Sequence, residues 1–106
     1  MQIIMLFLTC VNKAEAERIS IALIEQKLIA CAKMTSVHSM FHWEGAVSAS
    51  DETMLVMETK QDLCATIERV VREHHSYNTF MLTGIPVTYI SEQAKKWLDD
   101  SLVCTQ

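Results

Sequence analysis

The spacing of apolar positions changes period several times along the chain, and each change marks a new element. Residues 3–8 (IIMLFL) form a short unbroken apolar run, as expected of a strand covered on both faces. Asn12 then offers a helix N-cap, and Glu15 follows at the spacing of a capping box. Ala16, Ile19, Ala22 and Leu23 recur at three- and four-residue intervals, which predicts a helix to about Gln26 or Lys27. Residues 28–34 are apolar and small. Beyond them Val37, Ser39, Phe41 and Trp43 alternate with polar His38, His42 and Glu44, the period of a long strand with one wetter face. Gly45 interrupts this pattern and predicts a bulge or bend. The hairpin turn is expected at residues 48–52 (SASDE), with residues 54–57 (MLVM) as the returning strand.

A second helix is predicted over residues 62–73, with Leu63, Ile67, Val70 and Val71 as its buried stripe and Asp62 near its start. Residues 80–88 read as a fourth strand, in which Pro86 argues for an edge, an end or a bulge. Ser91 caps a last short helix lined by Ala94, Trp97, Leu98 and Leu102. The order predicts an α+β fold, a ferredoxin-like βαββαβ sandwich with an extra C-terminal helix. No repeat, linker or charge block interrupts it, so residues 1–106 are read as a single domain.

Charge narrows the function classes. Nine Lys and Arg against 13 Asp and Glu leave a net charge of −4, which gives nucleic-acid binding little electrostatic support. No apolar run approaches the ~20 residues of a spanning helix, so no membrane partner is expected. Residues 3–11 superficially resemble a signal-peptide core. The first base is Lys13, behind that run rather than ahead of it, and no small-residue cleavage site follows, so the run is read as structure. Cys10, Cys31, Cys64 and Cys104 form no C-x-x-C pair, and the expectation is free thiols in a cytoplasmic, reducing compartment. Half of the residues are apolar, more than a chain this small can hide alone. The long second and third strands, with Phe41 and Trp43, are therefore expected to be buried against other subunits.

Thr9-Cys10, the run from Ala22-Leu23 to Leu28-Ile29-Ala30-Cys31, Phe41-His42-Trp43-Glu44-Gly45, His74-His75-Ser76-Tyr77 and Trp97-Leu98 stand in the order and spacing of the CutA divalent-cation-tolerance proteins. The chain resembles that family over roughly residues 3–102. The resemblance implies a ferredoxin-like fold, a PII-like homotrimer, and an association with copper or other divalent metal ions. The chain departs from the family pattern at several points. Val11 and Ser76 replace prolines, Thr79-Phe80-Met81 stands where the family has Thr-Pro-Glu, and Glu58 replaces a lysine at the end of the third strand. Glu58 and Met81 thereby alter the charges of the cleft between subunits that the resemblance implies.

Three residues are the metal candidates: His74, His75 and Cys10. Imidazole is a common ligand of copper and zinc, but neighbours on a helix point about 100° apart, and a His at a helix end also complements the dipole. The resemblance links this His pair to copper. Cys10 offers a soft ligand near a helix N-terminus, or equally a small buried hydrophobe; in the family the copper-linked cysteine aligns with Leu8. Cys31 and Cys64 read as core. His38, Met40 and His42 share one side of a strand, a row that resembles a copper ladder and equally any polar strand face. Two glycines provide no phosphate loop, no Ser-His-Asp context appears, and Asp51-Glu52 and Asp99-Asp100 read as solvated charge. The expectation is a non-enzymatic metal-binding tolerance protein with no organic cofactor. The alternative is a PII-like trimeric sensor or scaffold taking a small ligand or protein at the inter-subunit cleft.

Overall fold

The computed structural model describes residues 1–104. Four strands and three helices follow in chain order: β1 (Ile3–Cys10), α1 (Lys13–Glu25), β2 (Cys31–Trp43), β3 (Ala46–Lys60), α2 (Cys64–His74), β4 (Leu82–Pro86) and α3 (Glu92–Ser101). A 3-10 turn, Gln61–Leu63, leads into α2 and contains Asp62, so that helix proper begins two residues later than its acidic start suggests. The strands form one antiparallel sheet in the order β2-β3-β1-β4. This is the ferredoxin-like arrangement that the element order predicts. No helix among the described residues is long and apolar enough to cross a membrane.

Strand alternation decides where the core lies. Ile4, Leu6, Leu8 and Cys10 of β1 and Leu55, Met57 and Thr59 of β3 are buried. All but Thr59 join Ala16, Ile19 and Leu23 of α1 and Ile67, Val70 and Val71 of α2 in one apolar cluster. The alternate residues Met5, Phe7, Met54 and Val56 are only half-buried, because no layer of this chain covers that face. Leu98 of α3 and Leu102 just after it enter the core, but Trp97 remains 53% exposed; one residue of helix turns a side chain by about 100° and takes it off the stripe. Cys31 and Cys64 are half-buried rather than core. Cys31 projects toward the uncovered face, where its thiol donates to Glu58 Oε1 at 2.8 Å and Lys33 Nζ lies 2.8 Å from the same oxygen. The Glu58 charge is thus matched within the chain by a lysine on the neighbouring strand.

The hairpin differs from its sequence expectation. The turn is Glu44-Gly45, both with positive φ (49° and 80°), closing directly on the Trp43–Ala46 pair. Two positive-φ residues are what a tight two-residue hairpin of right-handed twist requires, and glycine tolerates that region without strain. Residues 48–52 consequently lie inside β3, and Glu52, expected as solvated charge, is instead buried and accepts the Tyr77 hydroxyl. Residues 37–43 pair only with residues 46–52, beyond the end of β1, as a two-stranded ribbon. The ribbon stretches the molecule to 45 Å and its radius of gyration to 14.5 Å, against the ~13 Å of a compact chain this size. The fourth strand is shorter than the apolar run suggests and ends at Pro86 on the sheet edge, where the missing N–H costs no ladder bond.

α1 ends in a Schellman motif. Leu28 N–H bonds Leu23 C=O at 3.0 Å and Lys27 N–H bonds Ile24 C=O at 2.9 Å, while Lys27 sits at φ 57°. A left-handed lysine is strained where glycine is not. Lys27→Gly is therefore expected to stabilise the chain by about 1 kcal/mol, raising Tm by ~4–8 °C in thermal unfolding. An unchanged or lower Tm would show that the strain is compensated elsewhere.

Candidate functional site

The end of β1, the start of α1 and the segment after α2 meet at one end of the sheet. Asn12 caps α1, its Oδ1 accepting from Glu15 N–H at 2.9 Å. Glu15 turns back, as a capping-box acid does, but reaches Val11 N–H (3.0 Å) rather than the cap residue. Its second oxygen accepts from Ser76 N–H at 2.8 Å, 61 residues along the chain. The carboxylate is 1% exposed. Burial alone raises the pKa of such a group, yet the two N–H donors and neighbouring His75 together hold it below the usual carboxylate value. A proline at position 76 would have no N–H to give, so this bond depends on the residue there not being proline.

His75 is the C-cap of α2, with extended backbone (φ −79°, ψ 139°) that sends the chain back toward β1. Its ring is fully buried. Nδ1 accepts from Tyr77 N–H at 3.0 Å and Nε2 lies 2.9 Å from Thr9 O. An N–H at one nitrogen and a carbonyl at the other select the tautomer protonated at Nε2. Tyr77 (centroids 4.9 Å) and Phe80 (5.2 Å, stacked) flank the ring, and the Arg72 guanidinium lies 5.0 Å over Phe80. Phe80 thus becomes the middle layer of a His–Phe–Arg stack. Tyr77 donates its hydroxyl to Glu52 Oε2 at 2.6 Å; burial and this carboxylate push the phenol up to about 12.

Cys10 ends β1 as a strand residue, opposite Thr53, and is completely buried. Burial, then the charges of Glu15 and Glu52, push its thiol up to about 12. One ligand atom each from Cys10, Glu15 and His75 lie within 4.8 Å of one another. Two of the three sequence candidates therefore come together, and the third, His74, is exposed in the last turn of α2 and lies outside this cluster. Glu15 is the residue that sequence reasoning treated only as a cap. Its signal was present, since a capping-box acid placed just after a candidate cysteine must lie near it. Among the exposed candidates, His38 Nδ1 pairs with Asp51 Oδ1 at 2.8 Å across the ribbon, while Met40 is 68% exposed.

An antiparallel β4-β1-β3-β2 sheet with its core under two helices, and a buried thiol–carboxylate–imidazole cluster at the sheet end, define a ferredoxin-like α+β protein with a compact set of potential metal ligands. The model of the CutA1 divalent ion tolerance protein family matches residues 4–101. The chain belongs to that family. It is 31% identical over 97 residues to the divalent-cation tolerance protein CutA of Archaeoglobus fulgidus, covering 92% of this chain and 95% of that one. It is 26% identical to the chloroplastic CutA of Arabidopsis thaliana, of which it spans about half the length (54%). The crystal structure of CutA1 from Ehrlichia chaffeensis is 29% identical, superposes with a TM-score of 0.91, and is covered to 96%, as is this chain.

Proposed function

We propose that the chain is a non-enzymatic divalent-cation tolerance protein of the cytoplasm, working as a homotrimer that holds copper or another divalent metal ion at Cys10, Glu15 and His75. The observation that carries the reading is the convergence of three buried ligand atoms of different chemistry. Thiolate, carboxylate and imidazole together suit copper or zinc better than magnesium or calcium. Glu15 is ready as an anion. Cys10 binds only after losing its proton, and ligation by His75 through Nε2 requires its ring proton to leave Thr9 O. An ion there would supply charge neutralisation among Cys10, Glu15 and Glu52. The four free cysteines suit a reducing compartment.

Calorimetry with copper and zinc on the reduced protein is expected to give one ion per chain, lost in Cys10→Ser and retained in His74→Ala. Because the thiol is protonated up to about pH 12, each bound ion releases a proton, and apparent affinity rises about tenfold per pH unit through neutrality. Binding that survives Cys10→Ser, or that ignores pH, removes the site. A second reading is a PII-like trimeric sensor or scaffold, and the saturated ring of His75 favours it. Both nitrogens are occupied and no buried side-chain polar atom among the described residues lacks a partner, as a structural latch requires. Failure of wild type to bind either metal would favour that reading.

A further inference from the structure

Cys31, Lys33 and Glu58 form a second cluster of reactive side chains, on the sheet face that no layer of this chain covers and at the end of β2 opposite Trp43. Cys31 Sγ lies 2.8 Å from Glu58 Oε1 and 3.3 Å from Lys33 Nζ, and that ammonium lies 2.8 Å from the same carboxylate oxygen. Strand geometry makes the contact. Residues two apart share a face, and Glu58 stands directly opposite Cys31 in the register of β2 and β3. The thiol is half-buried, whereas the lysine side chain is 69% exposed and free to bend toward the sulfur. The other cysteines are set differently. Cys10 faces carboxylates and an imidazole, Cys64 Sγ meets a backbone carbonyl, Lys60 O, at 3.9 Å, and Cys104 is exposed. Among the described residues, Cys31 is the cysteine with a primary amine at its sulfur.

We infer that Cys31 and Lys33 form a reversible oxidative cross-link, a sulfur–nitrogen bond made when hydrogen peroxide reaches this face. Oxidation of a thiol first gives a sulfenic acid, which condenses with a nearby nitrogen. In the first step the sulfur attacks the peroxide O–O bond, Glu58 takes the thiol proton, and the departing oxygen collects it as water. Sulfur loses two electrons and the peroxide gains them. In the second step Lys33 passes a proton to Glu58 and its neutral amine attacks the sulfenyl sulfur. The N–S bond forms as the S–O bond breaks, and a second water leaves. Burial and the Glu58 bond hold the thiol above its usual pKa, so at neutral pH it keeps its proton until a base in contact removes it, and Glu58 is that base. Two equivalents of a thiol reductant return the free cysteine and lysine and leave as a disulfide. The cross-link removes the Lys33 ammonium and deprives Glu58 of its counter-charge, so oxidation makes this face more negative. The cluster shares no residue with Cys10, Glu15 and His75, and its chemistry does not depend on metal binding there.

The test treats the intact reduced protein with a small excess of hydrogen peroxide and follows it by mass spectrometry before and after tryptic digestion. A chain lighter by about 2 Da is expected, because the sulfenic acid condenses with loss of water. The tryptic cut after Lys33 should disappear, joining residues 28–33 to the peptide that ends at Lys60, and dithiothreitol should restore it. Loss of that cut separates this bond from a disulfide between cysteines, which has the same mass change but leaves Lys33 free. Lys33→Arg keeps the ion pair without the primary amine, and Cys31→Ser removes the sulfur. Neither variant should yield the cross-linked peptide, whereas Cys104→Ser should yield it as the wild type does. Oxidation of Cys31 to an acid in the wild type with the cut after Lys33 intact, or an unchanged Cys31 while Cys104 is oxidised, overturns the proposal.

Discussion

Replacing Glu15 with alanine is expected to cost roughly 2–6 kcal/mol of folding stability, read as a fall in the urea midpoint. The substitution leaves two part-buried N–H groups, of Val11 and Ser76, without their acceptor, at up to about 1–3 kcal/mol each. Against a total stability of ~5–15 kcal/mol for a typical domain, a loss of that size brings an isolated chain close to unfolding. The charge has its own signature. The folded-state pKa of Glu15 lies below its ordinary value of 4.5. The stability it adds is therefore fully present above that value and lost as pH falls through the lower, folded one. Glu15→Gln should flatten the acid limb of the stability curve while leaving much of the packing. An acid limb identical to wild type would show that Glu15 is not the titrating group. Ser76→Pro makes a finer test. His75 already has the extended backbone that precedes proline comfortably, so the principal change is loss of one N–H donor, at about 1–2 kcal/mol. The Glu15 carboxyl should then titrate at higher pH.

The double variant Phe41→Asp/Trp43→Asp is expected to convert the proposed trimer into a monomer, with sedimentation equilibrium reporting the 12.1 kDa chain instead of three times that mass. In the single chain Phe41 is 42% and Trp43 62% exposed, and Met40 and Val47 stand out beside them. They sit on a two-stranded ribbon that nothing in the chain supports. A lone two-stranded hairpin is marginal in water, so a stable ribbon implies partners. Burying an aromatic side chain gains about 1.5–3 kcal/mol, repeated in each subunit, and a carboxylate in the same place reverses the sign. An unchanged mass for the double variant would move the subunit contact elsewhere, with the exposed β4 edge and α3, bearing Ile85, Tyr89 and Trp97, the next surface to alter.

Local signals specified most of the scaffold. The capping box at Asn12 and Glu15, the stripes of α1 and α2, and a Pro86 that tolerates only an edge are encoded within a few residues of where they act. The hairpin turn was misplaced because small and polar residues such as 48–51 satisfy a turn and a strand equally well. What decides between them is pairing: a positive-φ Glu44-Gly45 turn puts Trp43 opposite Ala46 and carries every later residue into register with β2. Trp97 was misassigned for a related reason, since a helix stripe drawn from sequence cannot say how wide its partner surface is.

The candidate site was half legible. Cys10 and His75 could be named from chemistry and resemblance, but their 65-residue separation says nothing about whether they meet. A bond such as Ser76 N–H to Glu15, spanning 61 residues, has no local trace. By itself the sequence determined the order and kind of the elements, the family, and the residues able to bear metal chemistry, because these depend on periodicity and side-chain type. Only the tertiary structure decided that His75 turns inward while His74 stays in water, and that Glu15 joins Cys10. Those outcomes depend on the register of strands and the docking of α2 against β1, which are set by burial across the whole core.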